Sequence, residues 1–361
     1  MPTVDDNILA EVNELVNYDN GWTTWRKQLR NRENCDAWLA LLLYILPNLR
    51  HIEWVWKESR TRYAAKLVDE VILRQDLFMG SGPLGKLEKV LLKPTCRRAG
   101  MIGLKTILPF VYLPSLRVLS AKMVHDSALL LPEMKNGASN VTHLELRQST
   151  TRTGFERLIR LCTGLRSFKL YYDPFMFERT ATVIANLATR TETLETLCLD
   201  SDSCSMLQGF ERQHQWVGSL REFRKLKDLQ LQMVHFFHHD QQLPPRKLVD
   251  LLPSSLETLC ISGWWHEKET IMLAEMMDLV HARDEFPHLS EMTIQGRLLP
   301  KRLSPGEIRN DASWPKPLPI IDGRTLEDSI REVTEPLRSS CDKIGVSFSI
   351  EGYEVEVRAQ T

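Results

Sequence analysis

The chain has 361 residues, 26% of them charged and 43% hydrophobic, so it can bury a sizeable core and lacks the composition of a disordered polymer. A formal charge of −1 excludes the basic excess by which a general nucleic-acid binder engages phosphates. The length exceeds one ordinary domain, which leaves two or three globular domains or one long array of repeats.

The opening MPTVDDNILAEVNELV is acidic ahead of its first apolar residues, the reverse of an export signal. Residues 1–45 read as an N-terminal helical cap, with Trp22, Trp25 and Trp38 as packing residues. The longest apolar run, Ala37 to Leu46, ends at Pro47 and reaches about half of the ~20 residues that span a bilayer. It therefore reads as a buried helix, with no membrane association. Seven cysteines (Cys35, Cys96, Cys162, Cys198, Cys204, Cys260, Cys341) form no C-x-x-C pair, as expected for reduced thiols in an intracellular protein, cytoplasmic or nuclear.

Beyond the cap, apolar residues recur at the first, fourth and sixth places of a short motif. The triplets are Leu49, Ile52, Trp54; Leu87, Val90, Leu92; Leu116, Leu119, Ala121; Val141, Leu144, Leu146; and Leu165, Phe168, Leu170. They continue as Leu194, Leu197, Leu199; Leu226, Leu229, Leu231; Leu256, Leu259, Ile261; and Leu289, Met292, Ile294. First positions lie 24 to 38 residues apart, and most copies carry another apolar anchor three residues earlier: Leu46, Leu84, Leu113, Phe223 or Phe286. A short strand with this pattern cannot bury its apolar side until neighbouring copies stack on it, which is the logic of a solenoid.

The L-x-x-L-x-L pattern resembles the leucine-rich-repeat superfamily over about residues 46–297, read as about nine irregular repeats. Stretches between the strands read as helices at Thr61 to Phe78, Thr153 to Cys162, Phe177 to Ala188, Pro245 to Leu252 and Lys268 to Arg283. Strand, helix and parallel strand imply an α/β horseshoe, with parallel strands on the concave face and helices on the convex face. Where the family commonly places Asn or Cys after the strand, this chain has Lys57, Thr95, Val124, Ser149, Asp173, Asp202, Val234, Trp264 and Arg297, so an irregular curvature is expected. Residues 298–361 read as a C-terminal cap: a Pro-rich loop, a helix at Leu326 to Ser339, and a closing strand in which Val346, Phe348 and Ile350 alternate.

Two motifs mimic chemical sites. Gly80, Gly82, Gly85 and Lys86 match parts of phosphate-loop patterns, but the segment follows a helix and enters a strand, the wrong order for presenting free N–H groups to phosphate. The run His235 to Asp240, with His238 and His239, carries metal-type ligands. It reads either as a site for a metal-dependent protein or enzyme, or as a loop in which Phe236 and Phe237 pack. No catalytic constellation and no cofactor motif can be assigned.

The residues beside each apolar triplet point to the other face of the strand. In the second to fifth repeats they include Lys89, Lys93, Lys122, Arg147 and Lys169 against Glu145; in the sixth to ninth they include Asp200, Asp228 and Glu291 with no cation. Such a face either steers a protein with an acidic surface or is polar simply because it is wet. The aromatics Tyr171, Tyr172, Trp264 and Trp265, just beyond their strands, either pack beneath loops or line a binding rim.

The phrases LALLLYILPNLRHIEW and PSSLETLCISG resemble the repeat region of fungal F-box/leucine-rich-repeat proteins. That resemblance implies a protein-interaction module that selects the substrate of a ubiquitin ligase, joined to a Skp-type adaptor through an F-box. The first 45 residues lack the F-box opening L-P-x-E and its later C-x-x-W, so the adaptor contact would need an F-box outside or hidden in this chain.

Overall fold

The computed structural model describes residues 7–8, 10–12, 29, 35–56, 62–73, 82–95, 101–125, 139–151, 153–177, 180–201, 216–236, 246–263, 269–296 and 326–352. The chain forms two compact units, Met1–Glu178 and Arg179–Thr361.

In the first unit, helix α1 (Cys35–Ile45) leads into strand β1 (His51–Trp56), helix α2 (Arg62–Leu73) and strand β2 (Lys89–Pro94). A two-residue strand β3 (Ile102–Gly103) opens helix α3 (Leu104–Val111), followed by β4 (Val118–Lys122) and β5 (Val124–His125). Strand β6 (His143–Thr151), helix α4 (Thr153–Leu161) and strand β7 (Ser167–Phe177) complete the unit. The five long strands are all parallel, β1 on β2, β2 on β4, β4 on β6 and β6 on β7. Their register pairs Ile52 with Val90, Val90 with Leu119, Leu119 with Leu144 and Leu144 with Phe168. Those are the middle members of the triplets, so the leucine spacing sets the register residue for residue.

The second unit begins with helix α5 (Thr180–Leu187), then strands β8 (Thr196–Ser201) and β9 (Asp228–Gln232) and the short helix α6 (Leu248–Leu251). Strand β10 (Thr258–Ser262), helix α7 (Glu269–His281), strand β11 (Glu291–Gly296), helix α8 (Leu326–Lys343) and strand β12 (Ser347–Gly352) follow. Here Leu197 pairs with Leu229, Leu229 with Leu259, Leu259 with Met292 and Met292 with Phe348, again all parallel. Strand β12 thus joins as one more copy of the repeat.

One local device recurs at the strand entries. The anchor three residues before each triplet closes a turn: Leu87 N–H donates to the Leu84 carbonyl at 3.1 Å, Leu116 to Leu113 at 3.2 Å, Leu226 to Phe223 at 3.1 Å and Leu289 to Phe286 at 3.2 Å. One carbonyl then accepts two N–H groups of the next strand, as Glu88 does from Arg117 and Val118 at 2.9 and 3.0 Å. Burying the anchor side chain while its carbonyl caps the turn satisfies the backbone and fills the core together. Leu46 departs from this expectation: it makes the turn with Leu49 at 3.1 Å but stays 45% exposed.

The helices pack through one face. On α2, Tyr63, Ala64, Leu67, Val68 and Val71 are buried, a stripe of helical period. Trp54, expected in the core, is 3% exposed and meets the Phe110 ring of α3 edge-on at 6.0 Å. Helix α3 was not expected; Pro109 stands within it, in its last turn. Phe177 belongs to β7 rather than to the helix expected from it, which begins at Thr180.

Among the expected packing residues, the Trp38 indole donates to the Leu29 carbonyl at 2.9 Å. Trp22, Trp25 and the Pro-rich stretch 298–323 lie outside the described residues. No described helix is long and apolar enough to cross a membrane.

Candidate protein-binding face

Each strand turns its triplet inward and sets the intervening residues on the opposite face, although Cys198 and Asp200 of β8 are buried there. In the first unit these form rows across the strands, because parallel strands in register bring equivalent positions side by side. One row joins Val55 to Lys93, then Lys122, Arg147 and Tyr171. The pairs Val55 with Lys93, Lys122 with Arg147, and Arg147 with Tyr171 are in register, and Lys93 and Lys122 each follow the paired Leu92 and Ala121. The neighbouring row carries Glu53, Leu91, Ser120, Glu145 and Lys169.

Three cations therefore stand on consecutive strands. The glutamates of the neighbouring row brace the outer two: Glu53 pairs with Lys93, and Glu145 Oε1 accepts Arg147 Nε at 2.5 Å. The Arg147 guanidinium also lies over the Tyr171 ring, 4.2 Å from its centre, a cation–π contact that presets its rotamer. Its backbone is fixed as well, because Gln148 adopts φ 48° at a register shift between Arg147 and Ser149. The bulge lets the Arg147 carbonyl accept Met123 N–H at 2.7 Å and the Ser149 hydroxyl at 2.9 Å. Lys122, between the two braced cations, has no carboxylate partner among the described residues, and neither has Lys169. Lys89 is exposed one row further from the strand ends.

Tyr172 corrects an expectation: it is 0% exposed and belongs to the core, not to a rim. The alternation that turns Tyr171 outward turns its neighbour inward. Trp264 and Trp265 lie outside the described residues.

The open face of the second unit is built differently, since its polar groups bond to one another. Asp200, 3% exposed, accepts the side-chain amides of Gln230 at 2.7 Å and Gln232 at 3.1 Å. The Gln230 amide also reaches Gln295 Oε1 at 3.2 Å, passing over the small side chains of β10, and Gln295 donates to Glu351 at 2.7 Å. Along the first row Asp228 accepts both Thr196 at 3.1 Å and Thr258 at 2.8 Å. Cys260 lies beneath this network, and burial, then the Asp200, Glu351 and Glu291 carboxylates, push its thiol up to about 12. Cys198 and Cys260 both carry thiols rather than a disulfide.

The two chemical mimics resolve in part. Residues 82–88 form turns ahead of β2, with Gly85 N–H on the Gly82 carbonyl at 3.1 Å, so the glycines shape an entry to a strand. His235 is 0% exposed and Phe236 is buried beside it, in a short turn after β9. Phe236 thus packs as the loop reading has it, while Phe237, His238, His239 and Asp240 lie outside the described residues. Among the described residues no group of three or more His, Cys, Asp or Glu is placed to hold a metal ion.

A leucine-rich repeat domain model matches residues 96–298, more than half of the chain. The chain belongs to the leucine-rich repeat family. Comparison with curated proteins and with solved structures gave no match. Leucine-rich repeats stack short units so that one sheet face stays open and extended, a geometry suited to protein contact. In this leucine-rich repeat protein three of the ten long strands, β1, β2 and β12, fall outside the matched region.

Proposed function

We propose that the chain is a protein-interaction module whose first unit binds a partner with an acidic surface. The row Lys93, Lys122, Arg147 carries the reading, because Lys122 sits among cations on an open face without a carboxylate of its own among the described residues. Glu53 and Glu145 already pair with Lys93 and Arg147, so Lys122 and Lys169 supply the positive charge that an anionic partner meets. The second unit offers a contrast: its acidic side chains already spend their acceptors on neighbouring amides and hydroxyls. A substrate-receptor role in a ubiquitin ligase, as the F-box resemblance implies, would use the same face to choose its substrate.

The test is affinity capture with the wild-type chain, with Lys122→Glu/Lys169→Glu, and with Lys105→Glu on the exposed side of α3 as control. Partners retained by wild type and control but lost by the double variant support the reading. Equal retention by all three overturns it.

A further inference from the structure

The row that carries the basic side chains also specifies the shape of what it binds. From one edge of the first unit inward it reads Val55, Lys93, Lys122, Arg147, Tyr171: one apolar residue, three cations, one aromatic. Val55 is 47% exposed, and the Lys93 and Arg147 side chains are 43% and 44% exposed. We propose that this row is the docking track for an amphipathic α-helix lying across the strands, with acidic residues at helical spacing between two apolar ends. The proposal rests on the acidic-partner reading above and adds the conformation and the pattern.

The argument is one of repeat distances. Adjacent parallel strands stand ~4.8 Å apart, so the five positions span roughly 19 Å. An α-helix rises 1.5 Å per residue, and residues three or four apart share a face, giving an axial step of about 4.5–6 Å. Five side chains at alternating spacings of three and four occupy some 15 helical residues and span about 21 Å, close to the length of the row. An extended peptide places same-side residues ~6.7 Å apart; after four steps it has run about 8 Å past the row, so its acids and both apolar ends cannot all stay in phase with the five strands.

The bracing within the row favours a rigid template over a loose cloud of charge. Glu53 and the Glu145–Tyr171 pair hold Lys93 and Arg147 in place, so their ordering entropy is already spent before binding. Lys122 then meets the central acid of the helix. Val55 at one end and the Tyr171 ring at the other provide apolar seats for side chains one helical step beyond the acids.

The probe is a 15-residue synthetic peptide with Leu at each end and three Glu at alternating spacings of three and four between them, measured against the full-length chain by fluorescence anisotropy. Its comparison is a peptide of identical composition with the three Glu at every second position. We expect the helix-spaced peptide to bind at least about tenfold more tightly, to gain helical circular dichroism on binding, and to lose about tenfold in affinity with Lys122→Glu. Val55→Ser and Tyr171→Ala should each weaken it several-fold while leaving the far-ultraviolet spectrum of the protein unchanged. Lys122→Gln, a milder change, should fall between wild type and Lys122→Glu. Equal binding of both peptides overturns the helix track and leaves the acidic-partner reading standing; binding of neither overturns both.

Discussion

The buried carboxylate of Asp36, on α1, accepts the backbone N–H of Tyr63 at 2.6 Å, and its second oxygen takes that of Ala64 at 3.2 Å. A residue 27 positions upstream thereby caps the first turn of α2, whose early N–H groups have no partner within the helix. Asp36→Ala should cost about 1–2 kcal/mol, and Asp36→Asn, which keeps an oxygen acceptor, clearly less. Urea midpoints measure both; an Ala variant as stable as wild type would show that solvent caps α2 instead.

Leu197 is 0% exposed and pairs in register with Leu229. Leu197→Ala should lose about 2–5 kcal/mol through the cavity it leaves. Thr196→Ala, one residue earlier on the half-exposed face, should lose no more than about 1 kcal/mol, the ordinary value of its hydrogen bond to Asp228. Similar losses from both would mean that the inward and outward faces are misassigned.

The Cys260 thiol, held at about 12, should be nearly inert. At pH 8 roughly one molecule in ten thousand carries the thiolate, the form that alkylates. Iodoacetamide at that pH should modify exposed Cys35 and spare Cys260 until denaturant is added, as peptide mass mapping would read out. The raised value also has a stability consequence. Because the folded chain holds this proton more tightly than a thiol at the ordinary value of 9.0, the contribution is whole below about pH 9 and drains away as pH rises through about 12. Ready labelling of Cys260 in folded protein would show that the glutamine network opens.

Charge reversal on the first unit should act on encounter as well as on affinity. With the partner recovered by capture, Lys122→Glu/Lys169→Glu should slow association by about tenfold or more, and the wild-type rate should fall as salt rises above ~0.1 M, where screening reaches about 10 Å. Lys105→Glu should change the rate little. An association rate indifferent to salt would remove steering from the account.

The strand register was legible because nine triplets repeat one spacing, and a one-residue slip would turn every inward leucine outward. Tyr172 was legible by the same rule, had alternation been followed two residues past Leu170. Helix α3 escaped because Pro109 reads as a breaker, whereas near a helix end it removes a single hydrogen bond. The charges of Lys122 and Lys169 could be placed on the open face, but their different company could not. Whether a carboxylate reaches a cation depends on rotamers set by neighbours on adjacent strands, as the Tyr171 ring sets that of Arg147. For the same reason the second unit read as an acidic surface, while Asp200 is in fact enclosed by Gln230 and Gln232.

Within each unit the triplets keep register although they recur at anything from 24 to 38 residues. All variation in length therefore falls between the end of one strand and the anchor turn of the next. Lengthening or trimming those connections leaves the order of side chains on the open face untouched, whereas a single substitution at an outward position rewrites it. Growth and recognition are thus separable in this architecture: the chain can change its size without changing what it reads, and change what it reads without refolding.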